Sequence, residues 1–224
     1  LMGLGPVAAW RKAELPSLWT RVRWAFAVAL ASALLLPLAL GRWSALVAFA
    51  LFLALWVVTS TAALVLHRLR TAPQATLRGK LAANSAAWYG MVVAHLGIAV
   101  FIVGVTLVKS YEVERDVRLD VGQAVAVGDY MFTFRGVESA PGPNYRALVG
   151  TIDVSRDGAV VRTLKPEKRI YTASGQAMTE AAIATRVTGD LYVSLGEPVA
   201  DNGAWSTRIY IKPFVDWIWF GAFI

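Results

Sequence analysis

The chain has 224 residues, 57% of them hydrophobic, and a mean hydropathy of +0.53, which excludes an ordinary soluble domain and points to a membrane protein. Cysteine is absent, so disulfides, thiolate metal sites, a cysteine nucleophile and a CxxCH motif are excluded. The net charge of +7 is not a nucleic-acid signal: residues 109–212 hold 13 Lys/Arg and 13 Asp/Glu, while the remaining segments set nine Lys/Arg against Glu14 and Asp216. Basic residues that flank apolar runs record membrane topology, and no nucleic acid is expected as a partner.

In chain order, residues 1–23 read as the end of a preceding helix ("LMGLGP") and a cytoplasmic segment carrying Arg11, Lys12, Arg21 and Arg23. Without an initiator Met, the sequence is expected to be the C-terminal part of a longer protein. Leu1–Pro6 is too short for a signal peptide and a basic stretch follows it. Residues 24–66 hold two transmembrane helices. The first is Trp24–Leu40, with Pro37 near its end, where a neighbouring helix can satisfy the freed carbonyl. The second is Ala45–Leu66, uncharged throughout and about 33 Å long as a helix.

Only Arg42 lies between these spans, whereas residues 67–87 carry Arg68, Arg70, Arg78 and Lys80 with no acid. The positive-inside rule makes 67–87 a cytoplasmic loop. The third span, 88–108, then runs outward and bears His95. Residues 109–212 face the periplasm, and 213–224 start a truncated last transmembrane helix whose Trp217, Trp219 and Phe220 suit an interfacial belt. The lipid bilayer itself is one expected partner.

The periplasmic segment reads as β. "EVERDVRLDV" alternates, with Val113, Val117 and Leu119 spaced for one face. The stretches "DYMFTFRGVE", "YRALVGTIDVSRDGAVVRTL", "EKRIYT", "LYVSLG" and "AWSTRIYIKP" follow. Asp157-Gly158 and Asn202-Gly203 are hairpin turn signals. About seven short strands predict an antiparallel β barrel or sandwich domain carried on transmembrane helices. "AMTEAAIATRV" is ambiguous: its alanines favour helix, its place between strands an extended segment.

His95 is the principal candidate site. An ionisable side chain within a span usually faces protein or a cavity. A neutral imidazole offers one lone pair, suited to haem iron, and one N–H for a supporting partner. At 100° per residue Trp88, Met91, Ile98 and Ile102 share its face, and Gly90, Ala94, Gly97 and Gly104 form a separate small-residue stripe that permits close helix packing. Three readings stand: a cofactor ligand, a histidine hydrogen-bonded to another helix, and a proton relay. His67, ending the second span among arginines, suits a helix C-terminus and a structural or interfacial role. Most tryptophans mark span ends; Trp88 is the one expected near a cofactor. Glu112, Glu114 and Asp116 read as a solvated strand edge rather than a cation site. "PEKRIY" and "GPNYR" combine aromatic and basic residues, either as ordinary strand and turn chemistry or as a docking surface for haem propionates or a partner. No Ser-His-Asp set and no phosphate-cradling glycine loop occurs.

Several stretches resemble the C-terminal region of the CcmF family, the membrane haem lyase component of bacterial System I cytochrome c maturation. They are "LMGLGP" (1–6), "WYGMVVAHLGIAVFIVGV" (88–105), "YEVERDVRLDVGQAV" (111–125), "YMFTFRGVESAPGPNYRA" (130–147), "EKRIYTASGQAMTEAAI" (167–183), "DLYVSLGE" (190–197) and "IYIKPFVDWIWFGA" (209–222).

The resemblance implies that haem is received from a periplasmic haem chaperone and joined to apocytochrome c by thioether bonds between haem vinyls and CxxCH thiols. Other cytochrome c maturation membrane subunits are implied as partners, and a bacterial inner (cytoplasmic) membrane, with the β domain in the periplasm, as the location. It also implies a second, stable haem b held in the membrane by two histidines, with His95, in "AHLG", at the position of one axial ligand to the iron. The other ligand, the tryptophan-rich haem-handling motif and two periplasmic histidines of the family do not occur among these residues. Only His95 is therefore carried over, no catalytic residue is assigned, and the chain alone is expected to be inactive as a lyase. The bound haem b is expected to keep the substrate haem iron reduced, and the β domain to dock partners. The alternatives are a structural or partner-docking membrane module and a haem transmembrane transporter.

Overall fold

The computed structural model describes residues 15–39, 41, 43–199 and 203–224. The segment 1–14, and with it Arg11, Lys12 and Glu14, lies outside the described residues. So does Asn202 of the second expected turn. The chain forms two compact units: a helical unit from the described parts of Leu1–Ser110 together with Asp216–Ile224, and a second unit, Tyr111–Val215.

In the helical unit, α1 spans Leu15–Ala39, α2 Ala45–Thr71, α3 Leu77–Ala82, α4 Ala86–Tyr111 and α5 Val215–Phe223. Three of these, α1, α2 and α4, are long and apolar enough to cross a membrane, and only 28% of each spanning window is buried within the protein. The remaining apolar surface is lipid-facing, since such area exposed to water would be strongly unfavourable. α1 and α2 form an antiparallel hairpin. Val22, Ala25, Ala29 and Ala33 are buried on α1, and Val47, Leu51, Ala54 and Val57 on α2. The alanines let the backbones approach closely. Thr59 Oγ1 donates to the Ala25 carbonyl at 3.0 Å, and Phe26 packs edge-on against Phe52 and Trp56 at 5.4 and 5.7 Å.

α1 begins earlier than the apolar run at Trp24, because a basic turn ends hydrophobicity without ending a helix. The segment 67–87 holds the last turn of α2, a short helix and the first residues of α4, so it is only partly a loop. In α3, Thr76 Oγ1 caps the helix by accepting from Gly79 N at 3.2 Å. Lys80 Nζ donates to the Leu69 carbonyl near the C-terminus of α2 at 2.8 Å, and Arg68 Nε donates to Asn84 Oδ1. Of the basic residues that mark topology in the sequence, Lys80 thus also satisfies a helix-end carbonyl.

The second unit is a two-sheet antiparallel sandwich. The smaller sheet runs β1 (Val113–Leu119), β10 (Trp205–Lys212), β9 (Asp190–Pro198), β8 (Ala182–Ala184). The larger runs β2 (Ala124–Val127), β3 (Tyr130–Pro141), β4 (Tyr145–Arg156), β6 (Glu167–Tyr171), β7 (Ala177–Glu180), and β5 (Ala159–Leu164) also pairs with β4. Alternation builds the core: Leu191, Val193 and Leu195 of β9 and Ile209 of β10 face Phe132 and Phe134 of β3 and Ile152 and Val154 of β4, all essentially inaccessible.

The expectation of about seven strands is corrected to ten among the described residues. The four-residue β2, "AVAV", carries too little pattern to stand out. "AMTEAAIATRV" resolves as β7 and β8, since packing between sheets outweighs alanine's helix preference. Asp157 and Gly158, at φ 52° and 81°, make the expected tight turn between β4 and β5.

Candidate functional site

His95 lies nine residues into α4, about 13 Å along its axis, and is half-buried. Its Nδ1 is 2.8 Å from the carbonyl oxygen of Met91, one turn earlier on the same helix. A carbonyl can only accept, so Nδ1 carries the proton. In a neutral imidazole held this way the lone pair lies on Nε2. Among the described residues His95 makes this one hydrogen bond. Metal-ligating histidines characteristically donate their second nitrogen to a carbonyl in this way, which orients the ring and raises its basicity.

The opposite side of α4 is closed. Gly97 and Gly104 follow His95 by two and nine residues, about 200° and 180° around the helix, and both are buried. A Cβ on Gly104 would stand 2.8 Å from Ile218 N, and one on Gly97 2.8 Å from the Gly221 carbonyl oxygen. The order of these contacts makes α5 antiparallel to α4. Of the expected small-residue stripe, Gly97 and Gly104 serve this packing. Gly90 has open space around it and Ala94 is exposed. The Gly face therefore receives the neighbouring helix, on the side of α4 away from His95.

His67 sits exposed near the end of α2, where its carbonyl accepts from Thr71 Oγ1 at 2.9 Å. Nothing among the described residues joins it to His95. Trp88 is half-buried at the start of α4, with the Arg68 guanidinium 5.5 Å from its ring centre. No group of three or more His, Asp or Glu side chains able to hold a metal ion occurs among the described residues.

The acidic alternation on β1 is matched across the sheet by residues more than 90 positions away. Arg208 forks onto Asp116 at 2.6 and 2.9 Å, and Tyr210 Oη donates to Glu114 at 2.8 Å. The Arg208 hydrogen bond holds the Asp116 carboxyl below the usual aspartate range. Partial burial, then the bond to Glu114, pushes the Tyr210 phenol up. On the larger sheet the Thr163 hydroxyl at 2.7 Å, followed by Arg135 at 2.8 Å, lowers Asp153.

"GPNYR" and "PEKRIY" come together because β4 and β6 pair. Tyr145 lies opposite Tyr171 with rings 5.7 Å apart, and Arg169 stands 4.7 Å from the Tyr145 ring centre. Arg169 is, however, held by Glu167 at 2.8 Å and Glu180 at 3.2 Å. Two carboxylates already neutralise it, so its surroundings disfavour a propionate, and this cluster is structural strand chemistry.

A further group has no local signal in the sequence. Arg156 Nη1 donates to Tyr130 Oη at 3.3 Å, and Arg186 Nη1 donates to the same oxygen. These residues are 26 and 56 positions from Tyr130 and meet only through the sandwich topology.

Three helices long and apolar enough to cross a membrane, followed in the chain by an antiparallel sandwich, define a membrane protein that carries a β domain. Residues 110–213 match the family described as CcmF C-terminal beta-sandwich. The chain is 41% identical over 223 residues to the cytochrome c-type biogenesis protein CcmF of Escherichia coli (strain K12), covering 99% of this chain and 33% of that protein. It is 44% identical over 183 residues to the protein of that name from Pseudomonas aeruginosa, covering 82% and 27%. The solved structure titled Cytochrome c Heme Lyase CcmF shares the fold with a TM-score of 0.78 at 22% identity, over 99% of this chain and 35% of that one. The chain belongs to the CcmF family and corresponds to its C-terminal region. It spans about a third of the length of these curated relatives.

Proposed function

We propose that the protein is the haem-ligating C-terminal part of a cytochrome c haem lyase, set in the bacterial inner membrane with its sandwich in the periplasm. The observation that carries this reading is the Nδ1–H···O bond from His95 to Met91, which leaves Nε2 as a lone-pair donor on an apolar helix face. Trp88, Met91 and Ile102 are half-buried on that face, and Ile98 borders it. This donor and these walls fit haem b, which His95 would help to hold. Bound there, the haem would supply one-electron transfer, keeping the substrate haem iron ferrous during attachment.

This chain's own residues hold the imidazole, fix its tautomer and exclude water from one side of the ring. The sandwich would present surfaces to a periplasmic haem chaperone, to apocytochrome c and to other maturation subunits. The test is a full-length protein carrying His95→Ala in cells that depend on it for cytochrome c maturation. Purified variant is expected to retain less than a tenth of the wild-type haem b, and the cells to accumulate little c-type cytochrome. Normal haem content and normal maturation would leave the chain as a docking module in which His95 only packs.

A further inference from the structure

The corner that joins α2 to α4 is cationic and uncompensated. Residues 68–80 carry Arg68, Arg70, Arg78 and Lys80, and no Asp or Glu occurs from residue 41 to residue 111. The described residues of the helical unit contain one carboxylate side chain, Asp216. Asp216 belongs to the first turn of α5. Since Ile218 meets Gly104 and Gly221 meets Gly97, that turn lies toward the far end of α4.

Hydrogen bonds hold α3 level with the ends of both apolar helices. Lys80 Nζ donates at 2.8 Å to the carbonyl of Leu69, two residues before α2 ends. Tyr89 Oη, three residues into α4, donates at 2.8 Å to the Leu81 carbonyl. At about 1.5 Å per residue both contacts lie within one turn of a helix end. Arg68 Nε donates to Asn84 Oδ1, and Asn84 Nδ2 donates to the Lys80 carbonyl at 3.0 Å. The corner is therefore a fixed platform.

The two sides of α3 differ. A Cβ on Gly79 would stand 3.2 Å from Gln74 Cβ, so the Gly79 side packs on the chain that precedes the helix. Leu77 and Leu81 lie about 160° round the helix from Gly79, and they are 63% and 38% exposed. Arg78 and Lys80 stand about 80° to either side of these leucines. Arg70 and Arg78 are exposed, and among the described residues neither makes a hydrogen bond or an ion pair. The positive-inside rule accounts for basic residues at this end of the spans. It does not account for two unpaired guanidiniums beside two leucines turned outward.

We propose that the α2–α4 corner is a binding site for anionic phospholipid headgroups. Arg70 and Arg78 take phosphate oxygens, and Leu77 and Leu81 enter the boundary between headgroups and acyl chains. Guanidinium forks match phosphate oxygens in geometry and charge. Apolar side chains flanked by cations on one helix suit the plane of that boundary. The bilayer is the occupant for two reasons. The site lies within a turn of the ends of two helices apolar enough to cross it, and an uncompensated basic segment beside a span is complementary to an anionic leaflet. A bound lipid would fix the depth of α2 and α4 in the membrane. The inference stands on the helical unit alone and is independent of what His95 ligates.

The experiment is backbone hydrogen exchange of the full-length protein in nanodiscs of phosphatidylcholine alone and of phosphatidylcholine with phosphatidylglycerol. Exchange across residues 77–84 is expected to slow about tenfold in the anionic discs, as two arginines at a charged surface imply. Arg70→Gln with Arg78→Gln should abolish that difference while exchange within α2 and α4 stays unchanged, which shows that the spans are folded. Arg70→Lys with Arg78→Lys should retain part of it, because the charge survives without the fork. Equal exchange of the wild type in both discs, or slowing that persists in the double Gln variant, would overturn the proposal. Equal slowing by inorganic phosphate in the neutral discs would overturn the assignment to lipid.

Discussion

Gly104→Ala tests how α5 is held on α4. The added methyl would stand 2.8 Å from Ile218 N, 3.0 Å from Ile218 Cγ1 and 3.1 Å from the Trp217 carbonyl carbon. Carbon atoms rest at about 3.5–4.0 Å, so α5 must retreat by roughly 0.5–1 Å, and the obstacle is mostly backbone. Such overpacking costs about 1–3 kcal/mol, against which alanine's better helix propensity returns about 0.5–1 kcal/mol. The net effect is a loss of up to about 2 kcal/mol. Gly90→Ala, on the same helix with nothing within 4 Å of the new methyl, keeps only the propensity gain. The two single substitutions should therefore differ by about 1–3 kcal/mol, roughly 5- to 150-fold in the unfolding equilibrium. The assay is SDS titration of the full-length protein in mixed micelles, followed by helical ellipticity. If Gly104→Ala unfolds at the same SDS fraction as Gly90→Ala, close glycine packing does not hold these helices together.

Thr207 is fully buried and its hydroxyl has no hydrogen-bond partner among the described residues; Thr207→Val should raise the stability of the sandwich by about 1 kcal/mol in urea unfolding. Phe132→Ala, in the same core, should lower it by about 3–5 kcal/mol. Asp116 and Asp153 have folded carboxyl pKa values below the ordinary 3.8. Their contribution is complete above the unfolded value and is lost as pH falls through the folded one. The urea midpoint should therefore drop below about pH 4, and Asp116→Asn with Asp153→Asn should flatten that drop while lowering the midpoint at pH 7.

The spans and most of the long strands are legible in the sequence because each repeats its signal. Twenty or so apolar residues give a span, and alternation over "LYVSLG" or "AWSTRIYIKP" gives a strand buried on one face. β2 and α3 are hidden by their shortness, and β7 and β8 by alanines, whose preference is helical until tertiary packing overrides it. His95 stands out because one polar residue in an apolar run is conspicuous, but the tautomer depends on a carbonyl position that only the folded helix supplies. The Arg208–Asp116 fork and the two arginines on Tyr130 are invisible for another reason. Their members are far apart in the chain, and each alone reads as an ordinary surface charge.

Haem ligation by His95 is read directly from the optical and EPR spectra of the full-length protein with and without the His95 side chain. The wild type should show a low-spin six-coordinate b-type haem. His95→Ala should convert any residual haem to a high-spin form, and added imidazole should restore the low-spin spectrum by occupying the vacated axial position. A low-spin spectrum that persists unchanged in His95→Ala without imidazole would contradict it.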